Sequence, residues 1–364
     1  MIRVSESSVQ GNEEQYLRQC VTNNQFSMGP FVKRLEAEFE RCHGGRAIAC
    51  SSGTSALHLA LLALGIGEGD LVLVPALSYV ASANAVTYCG ARPVFCDVES
   101  DTWTMSVESA ARAMKRWNGS IKAIMTVDLY GVQTDPKLYE LADQYGCAVV
   151  EDAAESLGAD LNPESKTIRV YSFYGNKIIT CGEGGMLILP EMLAESARLY
   201  GRQGQGSRRY WHDVVGYNYR MSDLNAAVAL AQFETIGDRV AAYAWVHDCY
   251  AEALKSHGET FVTQKTRNRK TNDWMNVVLL PRDVDRDRVM VFLEAAGIET
   301  RPAFTSLHRL PMYAVPKESH PVAEEVSSRG VCLPTHARLT RADIGYVVST
   351  LVEVVTRIQN GELQ

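Results

Sequence analysis

The 364-residue sequence is short of several features, and each shortage narrows the field. No apolar run reaches the ~20 residues that a membrane-spanning helix needs, so no membrane partner is expected. The amino terminus lacks an apolar core with a basic flank, so no secretory leader is expected and the cytoplasm is the default location. Nine cysteines are scattered without a C-x-x-C pair; Cys89, Cys96, Cys147 and Cys332 lie in apolar surroundings and read as reduced core thiols. Eight histidines show no H-E-x-x-H or similar spacing, so no protein-bound metal is expected. Positive charge is not in surplus. Lys and Arg number 36 against 43 Asp and Glu, and the net charge of −7 speaks against a nucleic-acid or anionic-membrane partner, although a local basic pocket could still hold a phosphate. There is no internal repeat, no low-complexity stretch and no G-x-G-x-x-G turn of the dinucleotide-binding kind.

What is present is an ordinary globular composition, 46% hydrophobic and 22% charged, at a length that suggests two domains. Residues 1–30 are polar and read as irregular. Short apolar runs follow at 47–50, 71–75, 93–96, 123–127, 147–151, 168–173 and 186–189. Helical patterns separate them at 31–42, 56–64, 107–117, 136–145 and 191–200. This alternation predicts an α/β fold with a mostly parallel central sheet covered on both faces. A helix capped by Ser222 or Asp223 runs on to about 236. There the pattern changes to a long amphipathic helix (240–255), a strand (274–280), a helix stopped by Gly297, and a last helix within 339–358. The expected division is a large domain, 1–238, and a smaller carboxyl-terminal α+β domain, 239–364.

In sheets of this kind ligands sit beyond the carboxyl ends of the strands. Several chemically able residues fall at or just past those ends. Lys177 lies between the apolar run 168–173 and the turn Gly182-Glu183-Gly184-Gly185. Asp152 closes the run before it. A lysine amine can form a Schiff base with an aldehyde, and an acid can hold a protonated pyridine nitrogen, so the pair describes a site for pyridoxal 5'-phosphate. Each alone is weak: lysines after strands are usually solvated, and aspartates at strand ends usually cap helices. Ser51-Ser52-Gly53-Thr54-Ser55 opens a helix and offers free N–H groups to an anion, or is a plain cap. Tyr79 could lie on a cofactor ring, or be a core or surface tyrosine. Arg202, Arg208 and Arg209 stand in one glycine-rich loop without an acid among them, either solvated or poised for a diphosphate. Arg301 could grip a carboxylate or make a surface ion pair. His308 follows it.

Taken in order, these segments resemble the pyridoxal phosphate-dependent nucleotide-sugar aminotransferases, the DegT/StrS group of fold-type I (aspartate aminotransferase-like) enzymes. The resemblance is carried by S-S-G-T-S-A-L-H-L-A-L-L-A-L-G-I-G-E-G-D, E-D-A-A-E, S-F-Y-G-N-K with its G-E-G-G, R-R-Y-W-H-D-V-V-G-Y-N-Y-R-M, and G-I-E-T-R-P with L-P-M-Y. It implies that Lys177 is the Schiff-base lysine and the mobile base, with Asp152 on the pyridine nitrogen. Glu155 would sit near the phenolic oxygen and Tyr79 on the ring. Ser52, Gly53, Thr54 and Ser172 would hold the cofactor phosphate, with Asn218 reaching in from a neighbouring subunit of a homodimer. Arg208, Arg209, Tyr217, Arg301 and His308 would meet substrate. The implied reaction moves the amino group of L-glutamate to a nucleotide-linked 4-keto-6-deoxyhexose. Two departures stand out, a shortened connection at 159–172 and a short Gly201–Arg209 loop. Rival readings are a 3-keto-sugar aminotransferase, a sugar dehydratase (where histidine replaces the lysine present here), and a non-catalytic cofactor-binding regulator.

Overall fold

The computed structural model describes residues 1–159, 168–267, 270–314 and 318–363. The chain opens with α1 (Glu13–Thr22), α2 (Pro30–His43), β1 (Arg46–Cys50), α3 (Gly53–Ala63), β2 (Leu71–Pro75), α4 (Ala81–Tyr88) and β3 (Arg92–Cys96). Next come α5 (Val107–Arg116), β4 (Ile121–Val127), α6 (Lys137–Tyr145), β5 (Ala148–Asp152), β6 (Ile168–Ser172) and β7 (Gly185–Leu189). They are followed by α7 (Glu191–Gly201), α8 (Asp223–Phe233) and α9 (Ile236–Leu254). The last third holds β8 (Val262–Thr263), β9 (Asn276–Leu279), α10 (Arg286–Ala295), β10 (Arg301–Pro302), α11 (Pro321–Arg329), β11 (Gly330–Leu333) and α12 (Arg341–Gln359).

Seven strands form one sheet in the order β1-β7-β6-β5-β4-β2-β3. The pairs β2·β3, β2·β4, β4·β5 and β5·β6 are parallel, and β7 runs antiparallel to both of its neighbours. The predicted mostly parallel sheet is thus present. Its strands read as continuous apolar runs because both faces are covered. Along β2, Val72 and Val74 join the core beneath α2, α3 and α8, while Leu71 and Leu73 join the core beneath α5 and α6. Ser222, not Asp223, caps α8, accepting from the N–H of Asn225.

Residues 1–30 are not irregular throughout. They contain α1, whose Tyr16 and Cys20, one turn apart, are buried. Tyr16 Oη donates to Glu234 at 2.9 Å, and Glu13 pairs with Arg239 at 3.1 Å in a buried ion pair.

The smaller sheet is antiparallel, in the order β10-β11-β9-β8. Alternation along its strands splits their burial. Val278, Leu280, Val331 and Leu333 pack with α9, α10 and α12, while Val277, Leu279 and Cys332 face the core of the larger sheet. The amino terminus joins this end of the molecule: Ile2 N–H donates to the Gly297 carbonyl at 2.7 Å, and Thr335 N–H donates to that of Val4 at 2.9 Å. Among the described residues no helix is long and apolar enough to cross a membrane. The shortened connection expected at 159–172 falls mainly on 160–167, outside the described residues.

Candidate active site

At the carboxyl ends of β5 and β6 lies a cavity of about 510 Å³. Ser52, Gly53, Thr54, Tyr79, Asp152, Glu155, Ser172, Lys177 and Arg301 all line it. These residues come from five separate parts of the chain: Asp152 and Ser172 end β5 and β6, residues 52–54, Tyr79 and Lys177 lie just past strands of the large sheet, and Arg301 comes from β10 of the smaller sheet.

Asp152 is the final residue of β5. Alternation turns its predecessor Glu151 the other way, into an ion pair with Arg169 of β6 and a 2.7 Å hydrogen bond from Tyr139 of α6. Asp152 itself is buried. It accepts a hydrogen bond from Ser82 Oγ at 2.7 Å and another from the Ala154 N–H at 3.2 Å. Burial raises its pKa, while Ser82, Ala154 and Lys177 pull in the opposite direction. Glu155 follows in the next turn. Its Oε2 accepts from the Tyr130 N–H at 2.7 Å, and its Oε1 lies 3.4 Å from Lys177 Nζ. Burial raises the Glu155 pKa as well, with the Lys177 charge opposing it.

Lys177 sits in the turn after β6, its N–H bonded to the Tyr174 carbonyl, with a side chain 13% exposed. Across the cavity, α3 begins. An α-helix leaves its first N–H groups without an intrahelical partner. Ser52 accepts from the N–H of Ser55 in a capping box, which leaves those of Gly53 and Thr54, two residues of the cavity wall. A Cβ on Gly53 would stand 3.0 Å from that of Ser172, so glycine lets the helix start close against the end of β6. An amine, a buried acid and an anion cradle therefore share one cavity, and that donor set fits pyridoxal phosphate: aldehyde at Lys177, ring nitrogen at Asp152, phosphate at 52–54 and Ser172. Tyr79 is 58% exposed and its ring lies 5.8 Å from that of Phe304.

The other expected residues are elsewhere in the single chain. His308 is buried in a short turn, its Nε2 2.9 Å from Glu324 and its ring against His320, and it does not line the cavity. Arg208 and Arg209 are exposed and lean over Trp211 and Tyr210. Tyr217 stacks on Tyr219 and touches the buried ring of His58, and Asn218 pairs through its backbone with Arg202. None of the four lines the cavity. Cavity residues that sequence reading passed over are Tyr130, Trp274 and Phe304, together with Ser82 behind Asp152. Tyr130 alone carried a signal, standing before Gly131 just past a strand end, and its φ of 55° is unusual for a residue with a side chain.

The model of the DegT/DnrJ/EryC1/StrS aminotransferase family matches residues 7–352. GDP-perosamine synthase of Caulobacter vibrioides is 40% identical over 97% of this chain and 98% of its own length. That of Vibrio cholerae is 38% identical over 92% and 94%. Among solved structures, DesV of S. venezuelae superposes with a TM-score of 0.87 at 28% identity, covering 95% of each chain. The chain belongs to the DegT/DnrJ/EryC1/StrS family of pyridoxal phosphate-dependent aminotransferases.

Proposed function

We propose that this aminotransferase moves the amino group of L-glutamate to C4 of a GDP-linked 4-keto-6-deoxyhexose. The substrate in this reading is GDP-4-keto-6-deoxy-D-mannose and the product GDP-perosamine, a precursor for O-antigen or other lipopolysaccharide glycans. The enzyme would work in the cytoplasm as a homodimer with shared sites. The observation that carries the reading is the meeting of Lys177, Asp152 and the α3 cradle in one cavity. Its chemistry is narrowed by relatives named GDP-perosamine synthase that match over nearly the whole chain.

When bound, pyridoxal phosphate supplies an aldehyde carbon and an electron-withdrawing ring. The protein's part is attachment, orientation and proton movement. Lys177 Nζ is the attachment point and then the base: it takes the α-proton of glutamate in the first half-reaction and returns a proton to sugar C4 in the second. Asp152, held by Ser82 and the Ala154 N–H, presents a fixed carboxylate to the ring nitrogen. Glu155 accepts from Tyr130 on one oxygen, which keeps the other toward the amine. The N–H groups at 53 and 54 and the Ser172 hydroxyl would fix the phosphate, with Asn218 of the partner subunit completing that site. Arg301, half-exposed at the cavity wall, would meet the substrate carboxylate or diphosphate, and Arg208, Arg209 and Tyr217 would join it.

The test is incubation of the holoenzyme with L-glutamate and a panel of GDP-, UDP- and dTDP-linked 4-keto and 3-keto sugars, with mass detection of the amino product. A GDP-linked 4-amino sugar is the expected product. Turnover only with a 3-keto sugar, or only with another nucleotide, overturns the substrate assignment.

A further inference from the structure

Lys177 has a neighbour that the proposed chemistry does not call for. The indole of Trp274 lies with its ring centroid 4.0 Å from Nζ, and its Nε1–H donates at 2.8 Å to the carbonyl of Asn176. One side chain thus touches both the amine and the backbone immediately before it. Trp274 is 3% exposed, so the contact is made away from water, where a cation over an aromatic face interacts most strongly. Its own backbone is fixed. The Trp274 N–H donates to Asn272 Oδ1 at 3.1 Å, and Asn272 Nδ2 donates to the carbonyls of Glu155 at 2.8 Å and Leu157 at 3.0 Å. Gly131, at φ +99°, packs so closely on this asparagine that a Cβ there would stand 2.2 Å from Asn272 Oδ1. Residues 272–274, on the way into β9, therefore tie together the two turns that carry Glu155 and Lys177.

We propose that Trp274 is a positioning residue for Lys177. The indole closes one side of the amine, as the Glu155 carboxylate occupies another. Together they limit the directions in which Nζ can swing and keep water and small solutes off it. A reacting amine gains from this because a nucleophile or base held near its line of approach spends little of the barrier on orientation. The inference rests on Lys177 being the reacting amine. If Trp274 only filled space beneath β9, the behaviour of the amine would not depend on it.

The experiment uses the full-length, cofactor-free chain treated with limiting acetic anhydride. Acetylation of Lys177 is measured by peptide mass spectrometry against the exposed Lys115 and Lys122 as internal standards. Trp274→Leu raises the Lys177 rate about tenfold over the parent, while Trp274→Phe, which keeps an aromatic face, stays within about threefold. With cofactor, L-glutamate and a GDP-linked 4-keto sugar as acceptor, Trp274→Leu lowers kcat about a hundredfold and leaves KM within about threefold. An unchanged acetylation ratio in a Trp274→Leu protein that melts like the parent overturns the proposal, whatever its turnover. Should that variant not fold, Trp274→Met removes the ring but leaves a flexible side chain that adapts to irregular space; the same tenfold rise is expected, and its absence is equally decisive. Borohydride reduction of the parent with pyridoxal phosphate tests the underlying reading separately. A label on a lysine other than 177 sinks the assignment of the reacting amine, whereas the acetylation result judges the Trp274 contact itself.

Discussion

Two carboxyls, Asp152 and Glu155, are buried within three residues of one another, and burial raises the pKa of both. A buried carboxylate costs stability unless its partners compensate, and here the partners compensate only in part. The sign is fixed by the direction of the shift. With a folded pKa above the unfolded value of about 4.3, Glu155 favours the folded state below that pH and loses this contribution as pH rises through its raised value. Glu155→Gln removes the charge and keeps an acceptor for Tyr130. The cofactor-free variant should therefore melt a few degrees above the parent near pH 7.5 and show no advantage near pH 4, as differential scanning calorimetry would reveal. Its turnover should fall, the usual exchange of activity for stability at a functional site. Lys177 and Asp152 were legible in the sequence because each stands at or just past the end of an apolar run, whereas Glu155 was reached only through the resemblance carried by E-D-A-A-E. Ser82 and Trp274 were not, because neither belongs to a local pattern that points to its partner. Trp274 in particular reads as the first residue of a strand. In the structure β9 begins only at Asn276; Asn272 holds the preceding segment and Asp273 turns it at φ 53°.

The elements that carry the site depend on close backbone approaches and on buried histidines in α2 and α3. Gly185 opens β7 opposite Cys50 of β1, where the chain crosses toward α3. A Cβ there would stand 2.6 Å from Gly53 N and from Ser52 C and O, all backbone atoms of the cradle. Gly185→Ala should destabilise the fold by about 3 kcal/mol in urea titration and weaken cofactor retention. The same glycine stands in the G-E-G-G turn that sequence reading noted, but only packing says which backbone it must pass. His43 of α2 and His58 of α3 both have pKa values lowered to about 4 by burial. Folded values below the unfolded ~6.5 mean that their contribution is present above that pH and is lost as pH falls toward 4. The melting temperature should decline across this window, and His43→Phe, which keeps a ring beside Phe39 and Tyr171, should flatten the decline. Helix α1 escaped notice for a related reason. Its apolar face is only Tyr16 and Cys20, and its anchors, Glu234 and Arg239, lie more than two hundred residues away.

At the scale of the whole molecule, Asn218, Arg208, Arg209 and Tyr217 lie away from the cavity of their own chain. Around them Tyr210, Trp211 and Val215 are exposed, Val215 at 86%. We take this as support for the proposed homodimer, in which that loop serves the partner's site. The assembly should scatter light as twice the chain mass of 40.2 kDa. Shared sites make a sharper prediction. Lys177→Ala and Asn218→Ala should each be nearly inactive alone. Unfolded and refolded together in equal amounts, they should recover about a quarter of parental activity, because half the dimers are mixed and each mixed dimer holds one intact site. No recovery would mean that Asn218 acts within its own chain. The division at residue 238 is likewise a proposal. Both faces of β9 and β11 are buried, one against each core, and the first residues of the chain pair near Gly297 and Thr335.

The sequence by itself determined the alternation of strands and helices, the acid at the end of β5, the amine and the glycine-bearing cradle, because period, caps and strand ends are local properties of the chain. Only the tertiary structure decided which of these residues meet. It seated Ser82 on Asp152 and Trp274 on Lys177, and it withdrew His308 into a buried contact with Glu324. Those pairings join residues well separated in the chain, and they are set by the order of strands in the sheet and by the packing of the second sheet against it.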